Sequence, residues 1–513
     1  MSAPLSVAAI LLVCATTLAL GAVGLRFARG TSDFYVAGRT VSPWRNASAI
    51  GGEYISAASF LGVAGLVHSG GVDMLWLPVG YTVGYLVLLA LVAAPLRRSG
   101  AYTLPDFAEL RLESRVLRRG CALLVVGIGW LYLLPQMQGA GLALSQVSGA
   151  PAWVGATVVT VIVALNVIAG GMRSITLVQA VQYWLKLTAI TVPACVLLTI
   201  WVRDGTPAPE GSRSWWEPLV ASGPGEHPTY TAYATILALC LGTMGLPHIV
   251  VRFYTNPDGV AARRTTVAVL VLLSFFYLFP PVYGVLGRVY LDGPVETARP
   301  SVVLELPAQV VGGPGGDLLT ALVAGGAFAA FLSTASGLTM SVAGALDQDV
   351  VRRALGRLTG GDASPVQSFR LSAAIGVLAP FGASLVLDTV ALSTAVGHAF
   401  AIAAATFAPL LILGVWWRGL TAAGAAAGIT VGAVTTIGAA TISLLGAPAP
   451  GWTATLLGAP AAWATPLAVT VILGVSWLTP RTLPPHRDRT LARLHTPEAA
   501  IRSPRQTARS PRG

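Results

Sequence analysis

Residues 49–62 read AIGGEYISAASFLG and lie inside an apolar run, 46–69, long enough to cross a bilayer. This run carries the Gly51-Gly52 pair, the carboxylate Glu53 and the hydroxyls of Tyr54, Ser56 and Ser59. Each is a liability in hydrocarbon, where neither a freed backbone group nor a charge finds a partner. Gly51-Gly52 weakens the helix, and a discontinuous helix at mid-membrane presents carbonyls and helix ends to an ion or solute. Gly51, Gly52, Ala57 and Ala58 would also serve as close-packing positions between helices, but packing alone does not account for Glu53.

The rest of the chain supplies the membrane. Of 513 residues, 54% are hydrophobic and 10% charged, against roughly 25% charged in soluble domains; the mean hydropathy is +0.72. Apolar stretches of about 20 residues predict thirteen spans, near 5–25, 46–69, 73–96, 120–148, 151–170, 174–202, 231–252, 265–289, 317–345, 368–387, 391–415, 420–445 and 460–478. The first has no basic residue before it and Arg26 and Arg29 after it, the pattern of a retained span with its N-terminus outside.

The net charge of +11 follows the positive-inside rule rather than pointing to nucleic acid. Arg39, Arg45, Arg97, Arg98, Arg111, Arg115, Arg118 and Arg119 fall in expected inside loops. Arg252, Arg263 and Arg264 follow span seven, Arg352, Arg353 and Arg357 span nine, and Arg418 span eleven. The longer outside loops, 203–230 and 290–316, carry Glu210, Glu217 and Asp292. The expected C-terminus is cytoplasmic, and the Arg/Pro-rich segment from Arg481 is expected to be disordered near anionic lipid. Cys14, Cys121, Cys195 and Cys240 show no metal-ligand spacing and read as small buried hydrophobes.

Polar groups concentrate in three further spans. LCLGTMGLPHIVVRFYT, 239–255, is interrupted by Gly242, Gly245 and Pro247 and adds Thr243 and His248; the histidine reads equally as a pH-sensitive or a structural group. AFAAFLSTASGLTMSVAGALDQD, 327–349, holds Ser333, Thr334, Ser336, Thr339 and Ser341. Adjacent Ser333-Thr334, with the Ala330 carbonyl one turn earlier, would offer oxygen ligands to one hard monovalent cation; Asp347 and Asp349 at its inner end read as solvated. Span six places Gln179, Gln182 and Lys186, the chain's one lysine, near one helical face. A buried ammonium there would pair with Glu53, attract an anionic substrate or replace a coupling cation, unless it snorkels to the interface. Two interrupted spans five helices apart point to related halves, spans 2–6 and 7–11, as in inverted-repeat transporters.

With these residues in place, the chain resembles the sodium:solute symporter family, which has the LeuT-type fold. The likeness rests on SDFYVAGRTVSPWRNASAIGGEYISAASFLGVAGL (32–66), YLLPQMQGAGLAL (132–144), GGMRSITLVQ (170–179), GLPHIVVRFYTNPD (245–258), FLSTASGLTMSVAGALDQD (331–349) and AFAIAAATFAPLLILGVWWRGLTAAGAAAG (399–428). The long DFYVAGR and AASFLG segments are most similar to the acetate/monocarboxylate branch.

The resemblance implies an all-α protein of thirteen membrane helices with a 5+5 inverted repeat. Its parts are 1–45, the first repeat half 46–202, an outer loop 203–230, the second half 231–415, two last helices 416–478 and a basic tail 479–513. It implies one sodium site, formed by carbonyls of Gly52, Ile55 and Ala330 and hydroxyls of Ser333 and Thr334. Many relatives have Asp where this chain has Gln179; that change, with Lys186 a heptad further on, makes proton coupling the alternative to sodium. The substrate, a small monocarboxylate such as acetate, propionate or pyruvate, would touch Tyr54, Ser56, Ser59, Gln136, Thr243 and His248, with Glu53, Gln179 and Lys186 as coupling groups; a sodium symporter of another small organic solute is the further alternative. No cofactor, nucleic-acid partner or enzyme activity is expected, and the place is the plasma or inner membrane; a small membrane partner is left open. A channel would need a filter signature, an enzyme a nucleophile with its base or clustered ligands, and a sensor a signalling domain after the last span, none of which this sequence displays.

Overall fold

A computed structural model describes residues 2–25, 31–209, 211, 213–220, 226–291, 300–359, 364–387, 392–445 and 451–498. These residues are helical with no β-strand among them. Ten helices are long and apolar enough to cross a membrane, or eleven if one bent pair counts as a span. The chain is therefore a multi-pass membrane protein, although the expected number was thirteen. The difference lies at two places. One continuous helix covers Ala152–Arg203, 52 residues; at 1.5 Å per residue that is about 78 Å, far beyond the roughly 30 Å hydrocarbon core. Gly171, at φ 56° and ψ −157°, folds it back in a conformation open to glycine, so it carries two of the expected spans. The other place is the second expected span, which the structure breaks in two.

Nine helices matter for the site. They are α1 (Ser2–Leu25), α2 (Pro43–Tyr54), α3 (Val63–Gly70), α4 (Arg115–Ser148), α5 (Ala152–Arg203), α6 (Pro228–Gly245), α7 (Pro247–Phe253), α8 (Gly313–Leu346) and α9 (Arg487–His495). Pro43 opens α2, where a missing N–H costs nothing. The helix stops at Ile55 (φ −71°, ψ 84°) and resumes at Ala57 through a π-helical turn, Ala58–Gly62, into α3. The second break has a plainer cause: Pro247 forces Leu246 into an extended conformation (φ −68°, ψ 121°), bending α6 against α7 by 47°.

Helix α8 is the axle of the bundle, buried along nearly its whole length and packed on α1, α4 and α5. Its small residues permit that approach. A Cβ on Gly326 would come within 2.4 Å of the Ala189 Cβ, and one on Gly337 within 2.0 Å of Glu53.

Several expectations need correction. Cys195 is exposed, whereas Cys14, Cys121 and Cys240 are buried. Asp347 and Asp349 are not solvated: both are buried, Asp347 against Arg352 (2.5 Å) and the Tyr35 hydroxyl, Asp349 against Arg118 (2.8 Å). The outer loops contain short helices, Arg213–Trp216 and Val302–Val311, while Glu210 and Asp292 lie outside the described residues.

The tail is not disordered as far as Glu498. Helix α9 docks on Ala93–Ser99 and Leu104–Leu112. Arg98 donates to the Leu494 carbonyl, His495 contacts the Val415 carbonyl, and Glu498 accepts the Gly259 N–H at 2.7 Å and pairs with Arg98 at 3.3 Å. Partial burial raises the Glu498 carboxyl, but hydrogen bonds from backbone N–H groups and Arg98 outweigh it and hold the group below its ordinary 4.5. A depressed carboxyl stabilises the docked state above its ordinary value and loses that contribution as pH falls through the folded-state value. Glu498→Gln should therefore raise hydrogen exchange in α9 roughly two- to fivefold at pH 7, the scale of a half-exposed pair. That difference from wild type should vanish below pH 4.5; an equal difference at both pH values would mean that the carboxylate charge does not hold the tail.

Candidate cation and substrate site

The break after Tyr54 redirects four backbone N–H groups. In a continuous helix Ser56 N–H would bond Gly52, Ala57 would bond Glu53, and Ser59 would bond Ile55. Instead Ser56 N–H reaches the Tyr54 carbonyl (2.8 Å), Ala57 the Gln136 Oε1 (3.4 Å), and Ser59 and Phe60 the Ser56 carbonyl (3.1 and 2.8 Å). The carbonyls of Gly52, Glu53 and Ile55 thereby lose their helical donors at the C-terminal end of α2, which favours positive charge.

Two other helices fill them. Lys186 Nζ, on α5, donates to the carbonyls of Gly52 and Ile55 (2.8 Å for the latter) and to Ser333 Oγ (2.5 Å). Thr334 Oγ1, on α8, donates to the Glu53 carbonyl at 2.7 Å, and the Ser333 hydroxyl lies 3.1 Å from the Ala330 carbonyl. Four of the five expected cation ligands, Gly52, Ile55, Ala330 and Ser333, thus surround one point between α2, α5 and α8. The Thr334 hydroxyl turns to Glu53 instead. Lys186 is fully buried and does not snorkel.

Glu53 takes a different partner from any considered above. Its Oε2 accepts from Arg252 Nε at 2.5 Å, with both side chains almost wholly shielded from solvent. Arg252 also reaches Gln179 Oε1, Thr176 Oγ1 (2.9 Å) and Met172 Sδ (3.0 Å), and Gln179 Nε2 donates to the Ser333 carbonyl at 2.7 Å. Gln182 donates to Thr17 of α1 at 3.0 Å. Arg252, read from sequence as an inside-loop charge, is in fact the counter-ion that joins the two broken spans. The signal for it was the pair His248 and Arg252, one helical turn apart directly after Pro247.

The expected substrate residues gather beside this ion pair. Tyr54 OH meets Thr243 Oγ1 at 2.6 Å, Ser59 Oγ meets Tyr277 OH at 2.8 Å, and Tyr132 OH donates to Ser56 Oγ at 3.3 Å. His248 packs edge-on against Tyr132, ring centroids 5.5 Å apart, and makes no hydrogen bond to the other candidates. Aromatic rings that the sequence reading passed over complete the wall: Tyr81 stacks on Tyr277 (5.5 Å), and Tyr85 and Phe400 lie against Tyr54. Tyr81 and Tyr85, four residues apart on one face of Trp76–Leu91, were the available clue. Three buried polar atoms here have no partner: Gln136 Nε2, His248 Nδ1 and Tyr85 OH. A cavity of about 530 Å³ has Ala58 and Tyr81 in its lining and reaches Asp73, His227 and Pro228. It opens at the Pro228 end of α6, and α9 docks near Gly259, beyond the other end of the α6–α7 pair.

A buried ion pair and a side-chain-filled carbonyl cup between two broken helices, below a cavity open to one side, define a membrane carrier. Over residues 34–432 the sequence matches the sodium:solute symporter family, and the chain belongs to that family. It is 30% identical over 448 residues to a monocarboxylic acid transporter of Corynebacterium glutamicum, covering 81% of this chain and 80% of that one. It is 29% identical over 436 residues to an uncharacterized symporter of Bacillus subtilis, covering 83% and 84%. Its fold is similar to that of a Na+-coupled sialic acid symporter (TM-score 0.71, 14% identity, 92% of this chain and 97% of that one). It is also similar to MhsT in complex with L-phenylalanine (TM-score 0.55, 15% identity, 86% and 98%). The fold is thus all-α and LeuT-like, and the protein is a transporter rather than an enzyme.

The close approach of α8 to Glu53 generates a prediction. Gly337→Ala places a Cβ 2.0 Å from Glu53 Oε1, while a Cβ on Gly127 of α4 would meet nothing within 4 Å. Overpacking of this kind costs about 1–3 kcal/mol or more, so Gly337→Ala should lower the unfolding midpoint of the purified protein by several degrees. Gly127→Ala should leave it unchanged or slightly higher.

Proposed function

We propose that this chain is a secondary active symporter that brings a small monocarboxylate of the acetate, propionate or pyruvate type into the cell by alternating access. The charge around the break carries the proposal. Glu53 contributes −1 and Arg252 and Lys186 contribute +1 each, so the buried site has an excess of one positive charge. An anion of one charge balances it. Gln136 Nε2 and Tyr85 OH would donate to a carboxylate, as would the restarting helix at Ala57 through its N-terminal end. Tyr54, Tyr81, Tyr277 and Phe400 would cover a short apolar remainder. The similarity to a monocarboxylic acid transporter supports the same substrate class.

Membership of the sodium:solute symporter family supports sodium as the coupling ion, held by oxygens of Gly52, Ile55, Ala330, Ser333 and Thr334. Proton coupling is the second reading, because Lys186 Nζ lies among those oxygens. Membrane potential adds about 2.3 kcal/mol per charge per 100 mV to either. The N-terminus is placed outside and the C-terminus, with α9, in the cytoplasm.

Uptake of radiolabelled acetate into proteoliposomes under an imposed sodium or pH gradient tests the proposal. Accumulation is expected under at least one gradient. Ser333→Ala/Thr334→Ala should cut the initial rate by about tenfold or more, the scale of two lost hydrogen bonds at a buried site. If neither gradient concentrates acetate, propionate or pyruvate, the monocarboxylate assignment is wrong.

A further inference from the structure

The chain's one lysine is wholly buried. Its ammonium has three N–H donors and no acceptor, and the Gly52 carbonyl, the Ile55 carbonyl and Ser333 Oγ accept all three. These are three of the five oxygens assigned to a coupling cation. No carboxylate competes for the ammonium, because the nearby Glu53 is bonded to Arg252. Helix α5 is held in this register on both sides: Gln179, two turns before Lys186, bonds the Ser333 carbonyl, and Gln182, one turn before, bonds Thr17. The side chain is thus aimed at the cup by its own helix.

A sodium ion on the same oxygens would sit against the ammonium, with two positive charges a few ångströms apart in a medium that screens poorly. Lysine and sodium therefore exclude each other. We propose that Lys186 is the resident cation of this cup: its ammonium takes the position of the coupling sodium, and it is the residue that sets which cation the transporter uses. The inference rests on the reading of these oxygens as a cation site and adds what fills it. With the lysine in place, the cup keeps its shape without sodium, and sodium gains access only where the ammonium is removed or withdrawn.

Binding of radioactive sodium to the purified full-length protein tests this without any organic solute. Wild type, Lys186→Met, Lys186→Gln and the double variant Lys186→Met/Ser333→Ala are compared at one pH, each first shown to be monodisperse. Lys186→Met and Lys186→Gln should bind sodium about tenfold or more tightly than wild type, as removal of a like charge at contact distance requires. Ser333→Ala should abolish the binding gained in Lys186→Met. Equal affinity in wild type and the lysine variants, loss of sodium binding on removing the lysine, or no binding in any of the proteins would each overturn the inference. Should both lysine variants fail to fold, wild type alone still decides: its unfolding midpoint should be the same in sodium as in choline chloride, and a sodium-specific rise at low millimolar concentration overturns the inference. Failure of acetate uptake under every gradient, with the sodium-binding pattern intact, would remove the substrate assignment and leave the role of Lys186 standing.

Discussion

Everything at the centre of this molecule follows from three carbonyl groups. Ending α2 at Tyr54 and restarting at Ala57 leaves Gly52, Glu53 and Ile55 without helical donors, and in a bilayer each such group costs several kcal/mol unless protein supplies a partner. The partners come from helices distant in sequence, Lys186 on α5 and Thr334 on α8. The break is therefore a joint that locks three helices together through their polar atoms. It also explains why α8 is so rich in small residues and hydroxyls: the helix must come close enough to α2 for a threonine to reach a backbone oxygen. Gly337 against Glu53 marks how close that is.

The second broken span is tied to the first by charge. Glu53 and Arg252 form an ion pair shielded from solvent on all sides, and a pair of that kind is costly to break, about 3–5 kcal/mol, because the survivor is left unpaired. Gln179 extends it by holding both Arg252 and the Ser333 carbonyl. A neutral amide does two jobs here, accepting from the guanidinium and donating to α8; a carboxylate in its place would accept from Arg252 but have no hydrogen to give the Ser333 carbonyl. Gln179 thus fits a site whose cation is a lysine on the same helix.

The break was readable in the sequence because a glycine pair, a proline and clustered hydroxyls weaken a helix that faces lipid and gain a use only at a polar joint. Ser333 and Thr334 were legible for the same reason. Arg252 was not, since its partner Glu53 is 199 residues away and an arginine at the end of an apolar run looks like an ordinary inside charge. Lys186 could be seen as important but not located: one helix face allowed it to meet Glu53, the substrate or the cup, and only the packing of α5 on α2 decided among them. The number of spans suffered from helix continuity, because the turn at Gly171 interrupts neither the hydropathy nor the helical hydrogen bonding of Ala152–Arg203. The tail helix escaped notice because its composition is that of a disordered segment, and what orders it is the docking of Leu491 and Leu494 and the Glu498 contacts.

Alternating access requires that some contacts give way and others persist, and their burial separates them. At the end of the bundle away from the cavity, Arg118 joins Asp106, Glu109 and Asp349, Arg352 joins Asp347, and Arg98 joins Glu498. Most of these pairs keep at least one partner partly in contact with water, where an ion pair is worth about 1 kcal/mol or less. The Glu53–Arg252 pair and the Lys186 cup have no such contact. A rocking motion that opens the second side would therefore part the inner pairs and carry the buried centre along intact. The inner ion pairs then serve as a gate of modest strength, and the broken helices as the rigid floor on which the solute is exchanged.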